Sequence, residues 1–543
     1  MSTQAQAAYS WAKPNVLVKG SPLYLLCILG TVLFITFLSV FATVTTIIAE
    51  DAIRGDLALD ARATSWLTTI NLLGINTIVP SASWFADRFG YKTIFFFGMT
   101  LFTLASAVAG FAENFPVLCT ARLLEGLGSG FIFPVGLSLL SQNLTEKQLP
   151  LALILYITAA FGAGFTIGFP LAGYLTQFVD WHWIFLVIIP GALLCMFICA
   201  WVQEDTPDQT IAPFDILGFI FFALFIGSLL VALTYGPMDS TDDGWFSPFI
   251  LSCFAIALVS ITATIYVESR HKNPLLPLVL FHNPIYAVTC AAMFLLGMSI
   301  FASAGTMMQY MIEALQYEKF VCGKIGMVYG LPLAFCSILA SVLMKKIPVP
   351  AVIFLGLGLL IYSYFLNNIL NWQTGPDQIL FILFLRGVGL GLSLGPATVQ
   401  ALEAVPLEMR NKAATILTFF RQVGGTYGST VIAIIVIKRT IFHTARFGEQ
   451  SQSELPGFQV TYQKLYSHYH STFFDSGTES AALAKATIIQ NIKMQAYIQA
   501  INDAMIVFGY TTLSVALILV GLGIYEHLKK NRKETSKDTH LLP

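Results

Sequence analysis

Apolar residues run along this chain in long blocks separated by short polar connections. The blocks lie near 23–49, 63–84, 93–112, 116–141, 150–175, 183–202, 215–236, 246–267, 284–312, 324–344, 349–369, 378–402, 413–436 and 498–526. A bilayer span takes about 20 mostly apolar residues, and about fourteen blocks meet that length. In lipid each segment must satisfy its own backbone N–H and C=O groups, so the blocks predict helices. Barrel strands would be shorter and would alternate apolar with polar residues, which these blocks do not.

Composition supports the same picture. Of 543 residues, 56% are hydrophobic and 11% charged, where a soluble chain is about 25% charged. That is too little charge to cover a soluble surface, and it predicts an all-α polytopic membrane protein whose bulk faces the lipid bilayer. A net charge of −1 suggests no nucleic-acid partner. The 8 cysteines show no metal-ligand spacing, and all but Cys322 sit in apolar blocks; they read as small buried hydrophobes, with no metal implied. The 8 histidines are scattered, and the closest two, His468 and His470, fall in a polar connection. No catalytic cluster is visible, which argues against an enzyme acting on lipid, and no cofactor is implied. The first 20 residues carry neither a cleavage pattern nor an Arg-rich presequence.

An even number of spans puts both ends on one side, and Lys and Arg choose the side. Lys529, Lys530, Arg532, Lys533 and Lys537 follow the last block. Arg88, Lys92, Lys147, Arg270, Lys272, Lys345, Lys346, Arg410 and Lys412 lie in connections on that same side, whereas the opposite short connections hold Arg54, Arg62, Lys319 and Lys324. Both termini are therefore expected to be cytoplasmic, in a bacterial inner membrane. The segment 204–215 departs from the rule, since it should be cytoplasmic yet has no Lys or Arg.

The fourth block reads RLLEGLGSGFIFP and the twelfth RGVGLGLSLGP. Each has an arginine, alternating glycines and a proline, a weak internal similarity of the kind found in transporters built from repeats. The expected organisation is an N-terminal six-helix bundle at 1–202, two linker transmembrane helices at 203–283, and a C-terminal six-helix bundle at 284–543. The last contains a long polar external loop at 437–497.

Between the second and third blocks, SASWFADRFGYK places Asp87, Arg88 and Lys92 close together. Gly90 permits the positive φ of a tight turn, Asp87 can accept from amides at a helix N-terminus, and the basic residues stay in water or pair across to other helices. The pattern Ser83-x-Phe85-Ala86-Asp87-Arg88-x-Gly90-x-Lys92 resembles the signature loop G-x-L-a-D-r-x-G-r-k of the major facilitator superfamily. Ser, Phe and Tyr91 replace a Gly, a Leu and a basic residue. Further stretches resemble motifs of the same superfamily. Arg122-x-x-Glu125-Gly126-x-Gly128 is similar to R-x-x-Q-G-x-G, and Gly168-Phe169-Pro170-Leu171-Ala172-Gly173 to the helix-five antiporter motif G-P-x-L-G-G. Trp181-His182-Trp183-Ile184-Phe185 is similar to W-R-W-I-F, and Arg421-Gln422-x-Gly424-Gly425-x-x-Gly428 to R-Q-x-G-G-x-x-G. With about fourteen spans and the long last external loop, the chain resembles the EmrB/QacA type of drug:proton antiporter.

The resemblance implies a major facilitator fold with 14 transmembrane helices. It also implies a cytoplasmic latch loop at Asp87, Arg88, Gly90 and Lys92, a small-molecule substrate, and the proton gradient as energy source. Relatives of the EmrB kind work with a periplasmic adaptor and an outer-membrane channel, and the 437–497 loop resembles their docking loop. Where the family's first helix carries an aspartate, this chain has Ala42, in FATVTTIIAED.

Arg122, Glu125, Arg386 and Arg421 fall inside blocks, and intramembrane charges mark function by default. Arg122 and Glu125 are three apart and share a helix face, so Glu125, assisted by Arg122, is expected to replace the missing acid in proton coupling. Arg421, Gln422, Gly424 and Gly425 are expected at a cytoplasmic gate, and Arg386 in a structural or substrate role. Glu50, Asp51 and Asp503 are expected to reach solvent. The overall expectation is proton-coupled efflux of hydrophobic or amphiphilic compounds by alternating access. The alternatives are an exporter dedicated to one metabolite or siderophore, or a non-transporting sensor.

Overall fold

A computed structural model describes residues 21–145, 147–202, 214–236, 244–270, 274–275, 277–406, 409–451, 456–473 and 477–539. Most of the 204–215 segment, Lys272 and the first 20 residues lie outside the described residues.

Helices account for nearly all of the described chain. They are α1 (Pro22–Asp56), α2 (Ala61–Phe89), α3 (Tyr91–Gly110), α4 (Phe115–Asn143), α5 (Leu149–Phe178), α6 (Trp183–Trp201), α7 (Ile216–Tyr235), α8 (Pro248–Arg270), α9 (Pro284–Ala314), α10 (Lys319–Leu343), α11 (Val349–Ile369), α12 (Pro376–Glu403), α13 (Arg410–Gln450), α14 (Pro456–Phe473) and α15 (Gly477–Thr539). Local chemistry sets several starts. Ser21 and Asn283 cap helices whose next residue is Pro, and Asp60, Asn114 and Asp215 each accept a first-turn amide. Pro fits the first turn because its missing N–H has no intrahelical partner there.

Among the described residues, 13 helices are long and apolar enough to cross a membrane. α2 is the other long helix of the bundle, and its lower apolarity has a structural cause: it buries Thr64, Asn71, Asn76, Ser81 and Ser83 against other helices rather than facing lipid. Asn71 Nδ2 donates to the Arg122 carbonyl at 3.2 Å, and Asn76 Nδ2 donates to Thr426 Oγ1 of α13 at 2.6 Å.

Within α1–α6, α4 packs on α2 and α3, and α1 packs on α5 and α6; within the later helices, α12 packs on α10 and α11, and α13 on α9 and α15. The two groups meet where α5 crosses α10 and where α2 crosses α13. Glycine makes the first crossing close. A Cβ on Gly173 would stand 2.4 Å from the Lys319 carbonyl oxygen, and one on Gly323 2.4 Å from that of Phe169. α7 packs against both α2 and α13, and α8 packs against α7. Only 28% of the apolar window of α7 and α8 is buried, against 83% for α4, so these two helices are peripheral and present most of their surface to lipid.

The polar 437–497 connection is helical over most of its length rather than irregular. α13, at 41 residues, is roughly 60 Å long at 1.5 Å per residue, about twice the thickness of a hydrocarbon core. It continues beyond its apolar part, and α14 packs on the matching extension of α15. Asp503 of α15 ties the extension down rather than reaching to water. Its Oδ2 accepts from Arg439 Nε at 2.5 Å and pairs with His443 Nε2 at 2.7 Å.

Candidate functional site

The face of the bundle where α1 begins also holds the α2–α3 turn, the end of α4 and the start of α13. Gly90 has φ 97°, the left-handed turn that its sequence position predicts. The Tyr91 hydroxyl donates to Asp87 Oδ1. Asn411 Nδ2 of α13 donates to the Tyr91 oxygen at 3.5 Å, and Ser141 Oγ of α4 donates to Asn411 Oδ1 at 2.9 Å. Lys92 Nζ donates to the Ala200 carbonyl at 3.0 Å. The turn thus joins the early helices to α13 through Tyr91 and Asn411. Tyr91, which replaces a basic family residue, is the centre of the junction. Tyr91→Phe removes a donor and an acceptor, a loss of about 1 kcal/mol. We expect a several-fold faster alkylation of a cysteine placed at buried Ser138 beside this junction.

The Arg122–Glu125 pair lies deep in the early group. Arg122 Nη1 meets Glu125 Oε2 at 2.6 Å, and neither side chain has any exposure. Arg122 Nε donates to the Leu67 carbonyl at 3.3 Å, its guanidinium stands 5.7 Å from the Phe185 ring centre, and Ser106 Oγ donates to Glu125 Oε1 at 3.1 Å. The pair is sealed among α2, α3, α4 and α6 and does not line the cavity described next.

That cavity, of about 300 Å³, lies at the opposite face, between the two groups of helices. Ile47 and Glu50 come from α1, Thr68 and Thr69 from α2, Leu233 and Thr234 from α7, Phe301 to Glu313 from α9, Ser429 to Ile437 from α13, and Tyr497 from α15. Its walls are mostly apolar and carry two acids, Glu50 and Glu313. Glu50 is not free in solvent as its place at the end of the apolar block suggests: α1 continues past it to Asp56, and its Oε1 accepts from Thr68 Oγ1 at 2.6 Å. Thr68 follows Leu67, whose carbonyl holds Arg122, so the cavity acid stands one residue of α2 away from the sealed pair. Asp51, by contrast, is exposed and pairs with Arg54 at 2.5 Å and with Lys319 of α10 at 3.2 Å. Ala42 is buried on α1, and its carbonyl accepts from Thr46 Oγ1 at 2.9 Å.

The other intramembrane arginines differ from Arg122. Arg386 is fully buried, donates to Asn367 Oδ1 at 2.6 Å and to Ser363 Oγ at 3.4 Å, and lies 4.9 Å from the Tyr364 ring centre. These partners all belong to the later helices and make it a brace within that group. Arg421 sits about 16 Å along α13 from its start, deeper than the expected gate, and stacks 4.9 Å from the Phe161 ring centre of α5. Gln422 is buried beside it, and Gly424 and Gly425 let α9 approach at Phe294 and Phe301. In helix five, Gly168 faces Val44 and Phe41 of α1, Gly173 faces α10, and Pro170 is accommodated within α5.

Sequence reasoning did not single out Glu313, Tyr497, Asn411, Phe161 or Phe301. Glu313 stands one position beyond its apolar block, which was the available signal. The others depend on which helices meet, which no single block reveals.

The model of the Major Facilitator Superfamily matches residues 31–429, and the chain belongs to that superfamily. It is 29% identical over 393 residues to the multidrug transporter protein MdtP of Bacillus subtilis (strain 168), covering 72% of each chain. It is 28% identical over 407 residues to the multidrug resistance protein Stp of Mycobacterium tuberculosis (strain ATCC 25618 / H37Rv), covering 75% of this chain and 74% of Stp. A solved POT family transporter in complex with a thioalcohol-conjugated peptide superposes with a TM-score of 0.60 at 13% identity, over 92% of this chain and 96% of that one, which shows the shared fold. The protein is thus a multi-pass membrane transporter of this superfamily and not an enzyme.

Proposed function

We propose that this transporter exports hydrophobic or amphiphilic compounds by alternating access, in exchange for protons, as a member of the EmrB/QacA type. The face carrying Gly90 is cytoplasmic, and the membrane is the bacterial inner membrane. One observation carries the reading: a mostly apolar cavity between the two groups of helices, with a carboxyl group from each, Glu50 and Glu313. Apolar walls suit bulky amphiphiles and select no single ligand. Two carboxylates facing one cavity repel while ionised, and their mutual repulsion in a low-dielectric site favours the open arrangement. Proton entry removes the repulsion and permits closure at this face, while opposite-face opening breaks the Asp87–Tyr91–Asn411–Ser141 junction.

In this account the cavity acids take the coupling role that the sequence assigns to Glu125, and the Arg122–Glu125 pair is a fixed brace behind them. The test is growth of a pump-deficient host on a panel of toxic amphiphiles, with and without a protonophore. A broad, protonophore-sensitive gain in resistance is expected. A gain for one compound alone replaces this reading with a dedicated exporter, and no gain contradicts export.

A further inference from the structure

Three intramembrane arginines invite comparison by what satisfies them. Arg122 meets a carboxylate, and Arg386 meets an amide oxygen and a hydroxyl. Arg421 meets one aromatic face and one hydroxyl instead. Its guanidinium lies over the Phe161 ring, with the Tyr156 hydroxyl beside it. No carboxylate stands within ion-pair distance of it among the described residues. Its Nε and Nη2 are buried without a hydrogen-bond partner, and the side chain is 4% exposed. Those two nitrogens share one edge of the guanidinium plane, and their N–H bonds run parallel. That edge is the fork that takes both oxygens of a carboxylate. The neighbouring Gln422 on α13 also has its Oε1 and Nε2 buried without partners. Arg122 and Arg386 each leave one buried nitrogen without a partner, whereas Arg421 leaves the whole two-nitrogen edge open, and buried polar groups are normally satisfied, so that edge points to a ligand.

The position fits a transport path. Phe161 of α5 and Phe301 of α9 meet edge-to-face, with ring centres 6.1 Å apart, one from each group of helices. Phe301 lines the outer cavity, and Phe161 covers Arg421. Both rings lie on π-helical segments, Thr158–Ala163 and Ser299–Ser303. Such segments are rare and recur at functional sites. The aromatic pair thus stands between the acid-bearing cavity and the arginine.

We propose that Arg421 is the anion subsite of the transport path and binds the carboxylate of an acidic amphiphile behind the Phe161–Phe301 pair. This deepens the export reading and rests on it. Opening of the aromatic pair passes the ligand from a guanidinium to a cavity carrying Glu50 and Glu313, where like charge favours release.

The test compares dodecanoate with dodecanol for binding to the purified full-length protein in nanodiscs at alkaline pH, against empty discs. Dodecanoate is expected to bind at least about tenfold tighter, the scale of hydrogen bonds to a charged group. Arg421→Gln is expected to erase the preference, and Arg421→Lys to restore part of it, since the ammonium keeps the charge without the fork. Equal binding of the two ligands to the unaltered protein overturns the proposal, and that comparison does not depend on a variant folding. A preference that persists in folded Arg421→Gln overturns it as well. If the host still gains resistance to neutral amphiphiles while dodecanoate shows no preference, the anion subsite fails and the export reading stands.

Discussion

Glu50→Gln and Glu313→Gln are each expected to abolish the acceleration of export by a proton gradient, while binding of a neutral amphiphile persists. The expected loss of gradient-driven rate is at least about tenfold for either variant, because an amide keeps the shape and cannot titrate. Transport by purified protein in proteoliposomes, with and without an imposed pH difference, measures it. The two substitutions act on one device, so the double variant is expected to add little to either alone. Glu50 sits on α1 and Glu313 on α9, both on the cavity wall. In the proposed mechanism, neutralising one removes the repulsion that separates the open from the closed arrangement. Normal gradient-driven export by Glu50→Gln would remove that acid from the mechanism.

Glu125→Gln is expected to act differently, through folding. Glu125 and Arg122 are sealed together with no exposure, and removing one member of a buried pair costs about 3–5 kcal/mol because the other charge is left uncompensated. The variant should show a sharp loss of folded protein and a lower melting temperature in detergent. Replacing both, Arg122→Met with Glu125→Leu, is expected to recover much of that stability, since a buried pair often exchanges for apolar residues at little net cost. A well-folded Glu125→Gln protein that has lost only its pH response would return the coupling role to Glu125. The two experiments therefore separate a cavity acid from a structural one.

Much of the fold was legible because the bilayer is an unforgiving solvent: a long apolar block in lipid has to be a helix. The exception is instructive. α2 is less apolar than its neighbours because Asn71 and Asn76 bond to Arg122 and Thr426 in the interior, so its polarity marks an inward position. The 437–497 segment reads as a loop because it is polar. Its helices extend past the apolar blocks and are held by polar contacts, such as those of Arg439 and His443 with Asp503 of the last block, which hydropathy does not register.

The site was legible at the level of motif and much less so at the level of facing. Gly90 could be read as a positive-φ turn, and Arg122 with Glu125 as an ion pair, because both are local in sequence. Glu50 and Glu313 bear on one cavity only once α1 and α9 are placed side by side, and Tyr91 finds Asn411 from 320 residues away. A helix-end acid beside a cavity and a helix-end acid in water look alike in one dimension.

The central claim is that proton entry at Glu50 and Glu313 closes one face of the bundle and opens the other. Spin-label distances test it most directly, with one pair at Gly55→Cys and Gln373→Cys on the cavity face and another at Thr145→Cys and Lys345→Cys on the latch face. On passing from alkaline to acid pH, the first distance is expected to shorten and the second to lengthen, and both responses are expected to vanish in the Glu50→Gln, Glu313→Gln background. Distances that ignore pH, or that lengthen together, would contradict the account.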